Sequence, residues 1–507
     1  MKKTKYPSET STSLNIKSFS KGINTSLDRT KIPIDYAYDI KNFSFENGIL
    51  KEGIGFSELI DSLSTQDTTS LKRDFETLGE IEKVFHFYIY NQNTNKREDK
   101  LIFINHELKV YYISLYEQPL TLNSIRNISF KQTPIATQYR LNGEDVMIFS
   151  SLSDNMYVWN GREEPYEVLD APKISSMALH YERLFVTVDG EKSSIWFSDD
   201  LDPTNWSISL DEAGFIDLID ERGALLKVVS FFDYLYVFRE YGISRITAYG
   251  NQHNFSVSNL YVSSGKIYEN SVCVCGDKII FLAEDGLYKF DGVDTIKILD
   301  NISNNLTKQT SSNISSCYYN GKYYLSCNYN FLDQGINNAL LEIDINKYKL
   351  TNITFGVSIK YITCINTEKY SGIIAISKLN NSNNSYVTEI NKTGKFLDNT
   401  LEKTWTSPIS DIEKIQNIKT LKKIFLQTST PIIITIFHDN KETIINFPGS
   451  LFPQTKRVCI PLINFGFKIS CKEKSCSIKN IRFLFSSVNG RVWLWIMEKQ
   501  HTWKLLN

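Results

Sequence analysis

The feature that most constrains this chain is a recurrence. Short β-branched and aromatic runs begin near Leu101 (LIFINHELKVYY), Val146 (VMIFSSLSDNMYVWNG), Leu184, Leu235, Ile279 (IIFLAEDGLYKFDG), Tyr323 (YYLSCNYN) and Ile373 (IIAISK). Successive starts differ by 45, 38, 51, 44, 44 and 50 residues. Short strands and Gly turns repeating every 40–50 residues or so are the pattern of propeller blades. One four-stranded sheet cannot bury both faces, whereas a closed ring of sheets buries them all and leaves few free edges. The chain therefore reads as all-β, with a β-propeller of about seven blades over residues 81–396.

The pattern is clearest from Tyr181 to Gly250. There Leu184 to Val188 turns at Asp189-Gly190 and returns as Ile195 to Ser198. Leu235 to Phe238 likewise turns at Tyr241-Gly242 and returns as Ile243 to Thr247. Residues 1–80 read as an N-terminal arm, extended with turns: a hairpin corner at Asn47-Gly48 and one helical turn over Asp35 to Ile40. Its apolar residues (Phe43, Phe45, Ile49, Leu50, Ile54, Phe56) are too few to fold alone, so it should pack on something larger, a neighbouring subunit included. After residue 396 the blade unit is lost. Trp405 and the alternations Phe465, Phe467, Ile469 and Ile481, Phe483, Phe485 mark half-buried strands, so 397–507 reads as a C-terminal β-sandwich. Trp493, Trp495 and Trp503 end the chain as a core strand or a docking peptide.

Charge narrows the function classes. Lys plus Arg (56) and Asp plus Glu (57) leave a formal net charge of −1, which argues against a generally basic nucleic-acid binder. The longest apolar run, Ala224 to Phe238, is broken by Lys227 and Asp233 and is too short to span a membrane. Lys2 and Lys3 are followed by no apolar core, so no signal peptide is expected. The eight cysteines show no CxxC spacing, and Cys273 and Cys275 share one strand face, so free buried thiols are expected and no metal site.

Catalytic constellations are thin. The six histidines are scattered, with no metal pair and no nucleophile beside them, and the glycines mark turns rather than a phosphate cradle. Acidic clusters occur at Asp199, Asp200 and Asp202, at Asp217, Asp220 and Glu221, and at Glu284 and Asp285. They read as turn caps on a solvated rim. A glycosidase would need two of them about 5–9 Å apart in a cleft. Ser198-Asp199 with Trp206 resembles the Asp-box of sialidase-like propellers, Ser-x-Asp-x-Gly-x-x-Trp, except that Asp202 and Pro203 occupy the turn. That box stabilises a hairpin and is not catalytic. The residues singled out are thus a structural turn motif: Trp196, Ser198, Asp199, Asp202, Pro203 and Trp206. No catalytic residue, cofactor or metal is expected.

IWFSDDLDPTNW, GFIDL, LYVFREYGISRI and IIFLAEDGLYKFDG together resemble the propeller core of bacteriophage tail and neck proteins, the nozzle, tail-tube-tip or stabilisation proteins. The opening KGINTSLDRTKIPIDYAYDIKNFSFENGILKEGIGF is similar to their N-terminal signature, carried here by Gly22, Asn24, Asn42, Gly48, Leu50 and Gly55. The resemblance covers residues 18–60 and 180–300 and departs most near Val146 and Ile373. It implies a virion structural protein, made in the host cytoplasm. Such proteins assemble as a homo-oligomeric ring, usually of six, on a portal or adaptor, and pass phage DNA without sequence-specific binding. Lumen-facing residues should then avoid basic clusters, since phosphate contacts to Lys and Arg would hold the DNA. Two other classes remain. A receptor- or glycan-binding module would use Trp159, Trp196, Trp206 and Tyr241 as platforms. A glycan-degrading propeller would need the carboxylate pair.

Overall fold

The computed structural model describes residues 10–63, 68–91, 95–210, 213–306, 309, 314–330, 337–411 and 419–487. They fall into two compact units, one within 56–348 and 356–390, the other within 10–55, 349–355 and 391–487. Both units are discontinuous in the chain, unlike the consecutive segments 1–80, 81–396 and 397–507.

The first unit is a β-propeller of seven blades, five of which are separate four-stranded antiparallel sheets. Blade 1 is Ile81–Asn91, Lys96–Asn105, Val110–Ser114 and Leu122–Ser124. Blade 2 is Ile135–Leu141, Glu144–Ser150, Met156–Trp159 and Tyr166–Val168. Blade 3 is Ile174–His180, Arg183–Val188, Glu191–Phe197 and Gly214–Asp217. Blade 4 is Leu225–Phe231, Tyr234–Arg239, Gly242–Thr247 and Ser256–Val262. Blade 5 is Cys273–Val274, Ile279–Ala283, Gly286–Phe290 and Thr295–Ile298. Blade 6 holds Ser315–Tyr319, Lys322–Cys327 and Ala339–Asp344. Blade 7 holds Val357–Asn366, Ser371–Leu379 and Tyr386–Asn391, and its next strand is Gly55–Glu58, from far earlier in the chain.

The seven recurring runs of the sequence are the second strands of the seven blades. Each is buried on both faces, and its alternation divides its side chains between two seams. Leu101 and Phe103 enter the apolar cluster shared with blade 7, while Ile102 and Ile104 enter the cluster shared with blade 2. Met147 and Phe149 face blade 1, and Val146 and Ile148 face blade 3. Leu235 and Val237 face blade 3, and Tyr236 and Phe238 face blade 5. From the blade 7–blade 1 seam round to the blade 4–blade 5 seam the core is therefore a set of apolar layers between blades, and not a single centre.

First strands pack on one another from blade 2 to blade 4 and from blade 5 to blade 7, Ile81–Asn91 of blade 1 packs on the second strand of blade 2, and Val357–Asn366 of blade 7 packs on Ile81–Asn91. Helix is confined to short pieces, chiefly Leu59–Leu63 and Thr69–Leu78. The second was missed in reading residues 1–80 as extended. Its Leu71 and Leu78, with Phe75 partly covered, recur at helical spacing and join the blade 7–blade 1 cluster.

The second unit is a β-sandwich. One sheet is Asp39–Lys41, Lys403–Thr406, Asn464–Cys471, Ile432–His438 and Lys441–Phe447, with Ser410–Asp411 paired to Asn464–Cys471. The other runs Lys349–Phe355, Phe43–Ser44, Leu50–Glu52, Ser477–Ser487, Lys419–Thr428 and Gln454–Leu462. Thr10–Ile16 adds to Ser477–Ser487, Thr10 opposite Ser487 and Ile16 opposite Ile481. Between the sheets, Phe467 and Phe483 lie 4.7 Å apart, Phe465 and Phe485 5.2 Å, and fully buried Trp405 sits 5.2 Å from Phe467 and 5.3 Å from Phe19.

The N-terminal segment is thus part of the chain's own sandwich. Phe43, Phe45, Leu50, Ile54 and Phe56 are all buried within the chain, so they supply no argument for a neighbouring subunit. The corner at Asn47-Gly48 forms, with Gly48 at φ +73° and its N–H on Phe45 O. The helical turn over Asp35 to Ile40 does not. Ala37 is drawn into a parallel bridge with Ile23, and Asp39–Lys41 pairs with Thr404 to Thr406. Trp493, Trp495 and Trp503 lie outside the described residues.

Candidate functional site

The turn motif leaves the third strand of blade 3. Ser198 Oγ accepts the Leu184 N–H at 3.0 Å and donates to Asp199 O at 3.0 Å, fixing the start of the turn to the neighbouring strand. Leu201 takes a left-handed conformation, φ +60°. Asp202 Oδ1 then accepts both the Thr204 N–H (2.9 Å) and its hydroxyl (2.6 Å), an Asx cap set by two-residue spacing. Asp199 Oδ2 accepts Asn205 Nδ2 at 3.1 Å, and Pro203 is buried. Trp206 is buried in the blade 2–blade 3 cluster with Tyr139, Val146 and Ile148, and half-buried Trp196 borders the same cluster. The Trp196 ring stacks on Phe215 at 5.5 Å, and its Nε1 donates to Glu191 at 2.6 Å. The Ser198 hydroxyl and the Asp199 and Asp202 carboxylates are thus occupied by the turn or by the strand beside it, while Trp206 Nε1 is buried without a hydrogen-bond partner.

The other acids are occupied in the same way. Asp217 accepts Ser194 Oγ at 2.6 Å. Asp220 is gripped by Arg239 (2.8 Å), fully buried, and by Arg222 (3.2 Å). Burial opposes ionisation of Asp220, but the Arg222 N–H and the two guanidiniums hold its carboxyl below the usual value. Asp285 accepts Tyr288 OH at 2.5 Å and Ser264 Oγ at 3.2 Å, and Glu284 accepts the Lys266 N–H at 3.2 Å. These are turn and seam contacts.

The densest chemistry lies instead on the inner strands, where no local pattern of residues signals it. Lys83 Nζ of blade 1 donates to Pro134 O at 3.1 Å, and Lys227 Nζ of blade 4 donates to Val272 O at 2.7 Å. Burial pushes Lys83 down to about 8, the Lys227 charge adding to it, and burial lowers Lys227 as well. In blade 5, Cys275 Sγ donates to Cys273 O at 3.5 Å, and the neighbouring Cys275 thiol outweighs burial and, with the Lys227 ammonium, lowers the Cys273 thiol.

Other inner-strand groups bridge the seams. Ser176 Oγ accepts the Val228 N–H at 3.1 Å, His180 Nδ1 meets Ser230 Oγ at 2.9 Å, and Ser315 Oγ accepts the Ile362 N–H at 2.9 Å. At the closing seam Lys360 pairs with Glu82, and Arg97 Nη2 donates to Asn366 O at 2.8 Å. Beside Arg97, Asp99 accepts from the Glu368 N–H at 3.1 Å and meets His86 at 2.8 Å. These contacts fasten blades; the Ser230–His180 pair is one of them, with His180 buried in the seam and its Nε2 without a hydrogen-bond partner to orient it as a base.

Of the four proposed glycan platforms, Trp159 and Trp206 are buried, Trp196 is half-covered and Tyr241 is exposed. Among the exposed aromatics that the sequence reading missed, Tyr181 and Tyr249 are set edge to face at 5.2 Å. A cavity of about 420 Å³ opens beside Thr69–Leu78, floored by Ile60, Phe75 and Ile81 and rimmed by Glu76 and Glu80. In it Lys72 bridges Glu58 and Asp61, each at 2.7 Å. No group of three or more His, Cys, Asp or Glu suited to a metal occurs among the described residues.

No family model matches the chain, and no curated protein matches it. Among solved structures, the β-propeller domain of Myceliophteria thermophila Cps50 (Swd1) is 10% identical, with 61% of this chain and 96% of that one covered and a TM-score of 0.39. The AfRom2 CNH domain is 11% identical, covering 51% and 94%, with a TM-score of 0.29. Likeness at these scores carries no argument about function.

Proposed function

We propose that this chain is a structural protein of a bacteriophage virion, a nozzle-like component of the tail or neck that forms part of the DNA conduit as a homo-oligomeric ring, most simply of six. One observation carries the reading: the residues of the nozzle-like N-terminal signature hold backbone positions that build the sandwich. Gly22 and Gly48 sit at φ +71° and +73°, where a side chain would meet Phe45 and Ser18. Asn42, at φ 58°, bonds Glu402 O at 2.7 Å and the Phe355 N–H at 2.8 Å. Asn24 accepts from Ser26, Leu50 is fully buried, and a Cβ on Gly55 would strike Asn391 and Thr393.

A signature made of such positions is that of an architecture, and the acids bound within turns and seams suit a protein that acts by shape. DNA would pass without sequence-specific contacts, the net charge of −1 giving it no general attraction. The test is reconstruction of the virion that carries the protein. Density for a closed ring around the DNA path, attached to a portal-proximal component, is expected. Isolated copies on fibre tips would overturn the reading.

A second reading, a glycan-binding tail module, is favoured only by the exposed Tyr181–Tyr249 pair. It requires that Tyr249→Ala abolish binding to host surface polysaccharide while stability is kept.

A further inference from the structure

The sandwich contains a chemical arrangement that the conduit reading does not use. Cys471 ends the strand Asn464–Cys471 of one sheet, and Cys476 immediately precedes Ser477–Ser487 of the other. The four residues between them, 472–475, form an exposed corner, while both cysteines are 1% exposed beneath it. The two thiols are neighbours there, each acting on the other's ionisation. Cys471 Sγ also lies 3.9 Å from Thr430 Oγ1 and 3.8 Å from Pro431 O.

Fully buried Lys403 reaches into the same corner. Its Nζ donates to Glu473 O at 2.6 Å and to Leu401 O at 3.5 Å, both backbone carbonyls, with no carboxylate partner among the described residues. A buried ammonium satisfied only by carbonyls favours a negative charge nearby, and Cys471 is the group placed to supply it. The Cys476 S–H lowers the Cys471 thiol most. Burial opposes this, and the Glu473 N–H, the Lys403 charge and Thr430 add to it, while Cys476 is pushed up. One sulfur is thereby prepared as nucleophile and the other kept protonated.

We propose that Cys471 and Cys476 are a modification site, a thiol pair that a hydroperoxide converts to an intramolecular disulfide joining the two sheets of the sandwich. In the first step the Cys471 thiolate attacks the peroxide O–O bond. An S–O bond forms, the O–O bond breaks, and the leaving alkoxide takes up the proton lost by the thiol, giving a sulfenic acid and an alcohol (water, from hydrogen peroxide). In the second, Cys476 sulfur attacks Cys471 sulfur. The S–S bond forms, the S–O bond breaks, and water leaves with the Cys476 proton. Two thiols lose two electrons and the peroxide gains them.

The other close pair, Cys273 and Cys275, lies on one extended stretch, where alternate Cα atoms stand about 6.6 Å apart, near the limit for a bridge. Cys459 is exposed and has no such neighbours, so it serves as an internal control for accessibility.

The test is peptide mapping of the full-length protein after hydrogen peroxide, with free thiols alkylated under denaturing conditions. A linked Cys471–Cys476 peptide is expected, with Cys273, Cys275 and Cys327 still alkylated. Cys476→Ser should halt the reaction at a Cys471 sulfenic acid that a cyclic 1,3-dione traps, and Cys471→Ser should yield neither product. Lys403→Met should slow bridge formation about tenfold. If that variant does not fold, the competition among the eight wild-type cysteines carries the test. Preferential oxidation of Cys459, or Cys471 and Cys476 both free after peroxide, overturns the assignment.

Discussion

His180 shows how single side chains are tuned by the seams. It is 2% exposed, and burial holds its imidazole down at about 4 against a weaker pull from Asp233. The unfolded chain, with a value near 6.5, binds the proton first as pH falls. Stability from this site is therefore full above about pH 6.5 and is lost between there and about pH 4. Urea unfolding at about pH 7.5 and 4.5 should reveal a loss of about 2–3 kcal/mol that is absent in His180→Gln. Equal losses in both proteins would refute the assignment. Trp206→Ala should cost about 3–5 kcal/mol, from the cavity left between blades 2 and 3, with the midpoint of chemical denaturation as the readout. Asn42→Ala removes two buried hydrogen bonds at a left-handed position and should cost about 2–3 kcal/mol by the same measurement.

Among the elements, the strand Gly55–Glu58 carries the most consequence for its length. It pairs with the last strand of blade 7, so a segment from near the start of the chain completes the sheet that meets blade 1. Removing the fully packed ring in Phe56→Ala should destabilise the protein by about 3–5 kcal/mol. Amide protection should fall first in Tyr386–Asn391, and uniform loss across all blades would argue against a local closing role. This strand was not legible in the sequence, because four residues carry no period and its partner lies more than three hundred positions away. The second strands were legible for the opposite reason. Buried on both faces, they read as unbroken runs such as Leu101 to Ile104, whereas the half-polar first strands did not stand out. The Asp202 turn could be read because its bonds span two residues. Lys83 with Lys227, and Lys403 with Cys471, meet only through the fold.

For the whole molecule, the sandwich draws its strands from three stretches of sequence. A fragment of residues 397–507 would lack Asp39–Lys41, Phe43–Ser44, Leu50–Glu52 and Lys349–Phe355. Expressed alone it should give the dispersion-poor amide spectrum of an unfolded chain, and a well-dispersed spectrum would contradict the strand assignment. The pairing of Thr10–Ile16 with Ser477–Ser487 also sets an order of events during synthesis. Thr10–Ile16 leaves the ribosome long before its partner and has to wait for it. Phe43 and Phe45 stay uncovered while the blades are being made, so the blades fold early and the sandwich assembles only after Ser477–Ser487 has emerged. An interruption of translation after blade 7 would leave a folded ring carrying a sticky, unpaired leader, and such nascent chains are the ones a chaperone should hold longest.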